Sequence, residues 1–81
     1  MEENVVIYLE YKMSQMIQDW KIKNPGKTQS MKLFAGIFDA YLYFYGQHFI
    51  KEIEEEFQIN HEQATKIFGN AKAIIYNKYI K

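Results

Sequence analysis

The sequence contains no cysteine, no arginine and a single proline, and its ten lysines are balanced by ten acidic residues. Without cysteine, a disulfide framework and a thiolate metal site are both excluded. Without arginine there is no planar fork to grip a carboxylate, a phosphate or a guanine edge. Recognition must then rest on lysine point charges, tyrosine hydroxyls, amides and apolar contact. Zero net charge excludes a chain that holds nucleic acid by bulk positive potential. The longest near-apolar run, Leu33 to Tyr45, is interrupted by Asp39 and is too short to span a bilayer. The acidic start Met1-Glu2-Glu3-Asn4 does not read as a signal or transit peptide, so a cytoplasmic location with no membrane contact is expected.

What is present is a single domain, residues 1–81, of ordinary globular composition: 48 % hydrophobic and 25 % charged. A chain this short buries only about 60–65 % of its unfolded surface, so it needs dense packing or a partner. Aromatic residues, 17 % of the chain, supply that area, since each buries about 150–250 Å². Ile, Lys, Asn, Tyr and Phe are together so abundant that an AT-rich coding sequence is the simplest cause. That bias and the small size fit an element of a phage or mobile genome.

Periodicity divides the chain into helices. Val5, Val6, Leu9, Met13, Met16, Ile17 and Trp20 fall within one arc of roughly 120° at ~100° per residue, which predicts an amphipathic helix over about 3–22. The β propensity of Val5 to Leu9 competes with it. Ile7, Tyr8, Tyr11 and Ile22 form a second, weaker apolar strip on its other side. Asn24-Pro25-Gly26 ends this helix in a turn. Ser30 then caps a helix over about 30–45 that is apolar nearly all round. Such a helix is expected at the centre, covered by the first and last helices. A change of apolar face at Gly46 predicts a break and a further helix over about 47–58. Asn60, with Gln63 three residues later, predicts the start of a helix over about 61–80. The expected fold is therefore all-α, a three- to four-helix bundle.

No motif carries catalysis. Gly26-Lys27-Thr28 matches only the end of a phosphate-binding loop, because the position five before Gly26 is Lys21 on a predicted helix. His48 and His61 are the only histidines, no metal-ligand spacing surrounds them, and neither serine sits in a nucleophile elbow. No cofactor, metal or catalytic residue is expected, and the chain does not read as an enzyme. Tyr41, Tyr45 and His48 share one helical face, as the rim of the core or as a pocket.

Residues 51–68 resemble the helix-turn-helix pattern in spacing, with Ile53, Phe57, Ile59, Ala64 and Ile67 at the packing positions. His61, Gln63, Thr65 and Lys66 are the DNA-reading candidates of that alternative. It departs from the pattern at Glu54, where a small residue usually packs, and at Gln58, where the turn usually has glycine. Its first helix also carries Glu52, Glu54, Glu55 and Glu56, which repel phosphate. The leading expectation is a protein–protein interaction module, a small inhibitor or regulator of a larger protein partner. Its candidate contacts are Tyr8, Tyr11, Asp39, Tyr43, Glu52, Glu55 and Glu56, because interfaces favour tyrosine anchors and the acidic block suits a basic surface. A helix with two apolar faces beside one with few polar positions also predicts a homodimer.

Overall fold

The computed structural model describes residues 1–81 as four helices and no strand: α1 (Glu2–Lys23), α2 (Met31–Phe44), α3 (Gly46–Phe57) and α4 (His61–Tyr79). The all-α bundle expected from periodicity is the fold. The β-branched run from Val5 to Leu9 is helical because Val5, Val6 and Leu9 lie on one face and are buried together with Met13 and Ile17. That burial outweighs a propensity difference of tenths of a kcal/mol per residue.

The helix ends follow from local chemistry. Ser30 accepts the Leu33 N–H on its hydroxyl at 3.1 Å, and Asn60 accepts the Gln63 N–H on its side-chain oxygen at 2.8 Å. Each satisfies one of the free donors of a first turn. The Asn24 side chain donates to the Trp20 carbonyl at 2.9 Å, and Gly26 supplies the positive φ that turns the chain away. The break after α2 falls at Tyr45, one residue before the expected Gly46. Gln58 adopts the left-handed conformation at the end of α3, where glycine would sit with less strain.

Packing places α4 at the centre. It touches all three other helices and shares its largest contacts with α1 and α3, whereas α2 meets α1 and α3 only along short stretches. This corrects the expectation that the 30–45 helix is central. Apolar composition marks how much a helix can bury, not how much its neighbours cover. Of α2, only Phe34, Ala35, Phe38 and Leu42 turn inward. On α4, Ala64 and Ala71 are both 0 % exposed, and their small side chains let neighbouring helices close on the axis.

α1 and α4 run parallel. The Asn70 amide donates to Glu2 and the Lys78 ammonium to Glu10, each at 2.9 Å and each across 68 residues, and a constant offset requires parallel strands of contact. Trp20 meets Phe34 edge to face at 5.3 Å, which joins the far end of α1 to the start of α2. α1 therefore extends past α4, and the molecule measures 43 × 24 × 21 Å. Its radius of gyration, 13.2 Å, exceeds the ~11.7 Å of a compact domain of this length. Its accessible surface, 5697 Å², exceeds the roughly 5,200 Å² expected for this mass. Large hydrophobic side chains stand exposed on α1, α2 and α4, with the longest run of them on α2.

Candidate functional site

All seventeen buried residues are apolar, so the core holds no buried acid, base or nucleophile. No three His, Asp or Glu side chains converge as metal ligands do. No helix is long and apolar enough to cross a membrane. The chemistry of the molecule is on its surface, in three places.

The first is the seam between α1 and α3. The Tyr8 hydroxyl donates to the Glu52 carboxylate, Lys12 Nζ lies 3.4 Å from it, and His48 Nε2 lies 2.7 Å from its other oxygen. Tyr8 also packs edge to face on Phe57 at 6.0 Å. Burial pushes the Glu52 carboxyl upward, but the Tyr8 hydrogen bond with Lys12 and His48 outweighs it, and the carboxyl is held below its usual range. Burial, with the same hydrogen bond, raises the Tyr8 phenol. Beside this network opens a cavity of about 390 Å³, floored by Phe38 and Phe49 and rimmed by Lys12, Asp19, Tyr41 and His48. Tyr41 and His48, which share a face in the sequence, thus line the rim of one hollow, and the Tyr45 ring packs on Tyr41 at 4.6 Å, tilted by 41°. Lys12 and Asp19 were not among the candidates. Their seven-residue spacing on one edge of α1 is the signal that places them together.

A matching pair closes the other side of the bundle. Glu10 accepts from the Tyr79 hydroxyl and from Lys78. The Tyr79 hydrogen bond is the main cause of a lowered Glu10 carboxyl and of a raised Tyr79 phenol. Both tyrosine–carboxylate pairs tie α1 to a later helix, and both make stability depend on pH. The two carboxyls are lowered from 4.5 on folding, so their contribution is complete above that value and is lost as pH falls through the folded values. The two phenols are raised from 10.0, so theirs is complete below pH 10 and is lost as pH rises beyond it. Thermal midpoints measured across pH are expected to be flat in between and to fall at both ends. Glu10→Gln with Glu52→Gln should flatten the acid limb. An acid limb unchanged in that double variant would show that the pairs do not form.

The second place is the α3–α4 hairpin. Ile53, Ala64 and Ile67 are buried and Phe57 and Ile59 half-buried, and the turn is short. The packing positions of residues 51–68 are filled as their spacing predicts. His61 Nδ1 sits 3.0 Å from Glu54, the Thr65 hydroxyl donates back to the His61 carbonyl at 2.8 Å, and Gln63 and Lys66 are exposed. Glu54 is the acid in direct contact with these candidates, Glu62 follows His61 in the first turn of α4, and Lys66 is the one base among the four.

The third place is the outward side of α2. Leu33, Ile37 and Tyr41 are about half-exposed, and Tyr43 and Phe44 are 74 % and 77 % exposed. Gly36 and Ala40 lie among them, and an apolar groove of about 640 Å³ runs between this side and Ile80. No charged residue stands within the strip. Lys32 and Asp39 mark one edge of it, and half-exposed Asp39 also lines a shallow hollow with Lys72 and Tyr76 of α4.

The seven protein-contact candidates are therefore not one patch. Tyr8 and Glu52 are joined to each other within the fold. Tyr11, Glu55 and Glu56 are exposed on α1 and α3, and Tyr43 and Asp39 flank the α2 face. The strip Ile7, Tyr8, Tyr11 and Ile22 divides likewise: Tyr8 packs inward, and the other three stay exposed. Leu33, Ile37 and Phe44 belong to the helix expected to be covered on nearly all sides, yet they stand exposed. Their spacing from Tyr43 and Gly36 marks a second α2 face once the first is known to be filled. Comparison with protein-family models, curated proteins and solved structures finds no match to this chain.

Proposed function

We propose that this protein is a non-catalytic protein–protein interaction module, a small regulator that works by occupying a protein surface, and that the outward side of α2 is its working face. One observation carries the reading: the most apolar helix of the chain presents a charge-free strip with Tyr43 and Phe44 about three-quarters exposed. A monomer of this size rarely leaves such a strip in water, because each exposed ring forgoes roughly 2 kcal/mol of burial. Aromatic anchors on a rigid helix lose little entropy on docking, which is why they recur at the centre of interfaces.

The helix-turn-helix alternative has the hairpin packing in its favour and the charge against it. A backbone-binding face needs cations, and the reading positions offer only Lys66, with Glu54 in contact with His61 and Glu62 beside it. The two readings separate in one experiment. A photo-crosslinking amino acid at Phe44 is expected to give a protein adduct in cells expressing the chain. A short random DNA duplex titrated at low salt is expected to leave the mobility of the protein unchanged. No protein adduct from Phe44 overturns the interaction reading, and salt-sensitive DNA binding lost in Lys66→Glu transfers the function to the α3–α4 hairpin.

A further inference from the structure

The lysines around the start of α2 specify what covers its face. Between Asp19 and Asp39 the chain holds no acid, yet it holds four lysines: Lys21, Lys23, Lys27 and Lys32. All four are exposed, and none forms an ion pair. Elsewhere the fold does pair its lysines, Lys12 with Glu52 and Lys78 with Glu10. Lys21 and Lys23 suit the negative C-terminal end of α1. Lys27 and Lys32 have no such reason. They stand at the positive N-terminal end of α2, whose first turn contains no acid. An anionic group laid over that end relieves the repulsion.

These cations adjoin the apolar strip. Lys32 lines the groove with Leu33, Gly36, Ile37 and Ile80, and Lys27 lies three residues before the Ser30 cap. The end of α1 reaches the start of α2 where Trp20 packs on Phe34. Further along the same edge the charge changes sign at Asp39. The face therefore matches an occupant that is acidic over Lys27 and Lys32 and apolar from there to Phe44. On α3, by contrast, Glu52 and Glu54 already hold partners within the fold.

The occupant's backbone is helical. The fold has no strand, so an extended segment would find no sheet edge here, and its N–H and C=O groups would lie unpaired against apolar side chains. A helix satisfies its own. Gly36 and Ala40 form a shallow middle among larger side chains, and a methyl group added at Gly36 meets nothing within 4 Å. The monomer thus leaves room for the ridge of a second helix. A helix laid along α2 covers all 14 of its residues, about 21 Å, so Tyr43 and Phe44 enter the contact together with Leu33 and Ile37.

We propose that the α2 face is a docking groove for an amphipathic helix of a partner protein, apolar along the groove and carrying carboxylates at the end that lies over Lys27 and Lys32. This rests on the reading of α2 as a protein interface and names the chemistry of its partner.

The test titrates the intact chain into fluorescein-labelled, stapled helical peptides of about 18 residues, enough to span α2 with a turn to spare. All share leucines at helical spacing. Two are acidic, with glutamates in the first two turns or in the last two, and one is basic, with lysines in both places. At low salt, one acidic peptide is expected to bind at roughly 1–100 μM by fluorescence anisotropy, and the basic one about tenfold more weakly or worse. Lys27→Glu combined with Lys32→Glu is expected to cancel that preference. Ile37→Glu is expected to abolish binding of every peptide with unchanged helical circular dichroism, and Phe44→Glu serves in its place if that variant does not fold. No binding of either acidic peptide, equal binding of acidic and basic ones, a preference that survives the double reversal, or binding indifferent to Ile37→Glu and Phe44→Glu overturns the proposal. So does a dimer of the chain alone that Ile37→Glu dissolves, which gives the face to a second copy. Displacement of the acidic peptide by a DNA duplex also overturns it, giving the lysines to phosphate. The interface reading fails separately: a Phe44 adduct without the acidic preference keeps that reading and removes this partner, whereas no adduct removes both.

Discussion

Phe38→Ala is expected to remove about 3–5 kcal/mol of stability, the usual cost of deleting a fully buried phenylalanine. Phe38 is 2 % exposed and meets Phe49 edge to face at 6.5 Å. Phe49 in turn stacks on Phe68 at 6.4 Å. One ring from each of α2, α3 and α4 thus forms a continuous aromatic column, and alanine empties its first place. A chain of this length has a total stability of roughly 4–12 kcal/mol, so the variant loses about a quarter of it or more. Its thermal midpoint should drop by on the order of 20 °C. Phe44→Ala, six residues along the same helix, should change the monomer by less than about 0.5 kcal/mol, because that ring has little to lose from the fold. Urea unfolding of both variants at dilute concentration checks the contrast. A Phe38→Ala variant as stable as Phe44→Ala would show that α2 packs through its other side.

The second large effect belongs to the central helix. Ala71→Asp is expected to prevent folding at neutral pH. Ala71 is 0 % exposed, and the buried set around it is wholly apolar, so an added carboxylate would find no partner. An unpaired buried charge costs several kcal/mol, comparable with the whole stability of the domain. Ala73→Asp places the same group on the exposed side of α4 and should be tolerated within about 1 kcal/mol. Circular dichroism distinguishes the two directly. A folded Ala71→Asp variant would contradict the placement of α4 at the centre.

These two helices also show what the sequence carries and what it does not. The caps at Ser30 and Asn60, the turn at Pro25-Gly26 and the inward arc of α1 are local chemistry, and each is readable from a few neighbouring residues. Which helix the others surround is not local. α2 has the apolar content of a central helix, yet its layer on one side is missing, and no property of residues 31–44 alone reveals a missing neighbour. The centre went to α4 because two alanines allow close approach, a signal weaker than a run of aromatics. The candidate site follows the same pattern. Tyr43 and Asp39 could be singled out because each is unusual for its position. Leu33, Ile37 and Phe44 could not, since a leucine on an amphipathic helix reads as core until a structure shows that nothing lies over it.

The parallel alignment of α1 with α4 has a consequence for synthesis. The helix that α1 packs against most extensively is made after α2 and α3, and the contacts between Glu2 and Asn70 and between Glu10 and Lys78 each join groups 68 residues apart. Until α4 is made, α1 lacks its largest packing partner, and only its seams with α2 at Trp20 and with α3 at Tyr8 are available to it. Native structure can close only after residues 61–79 leave the exit tunnel. A nascent chain that has made α1 but not yet α4 therefore carries the apolar face of α1 uncovered.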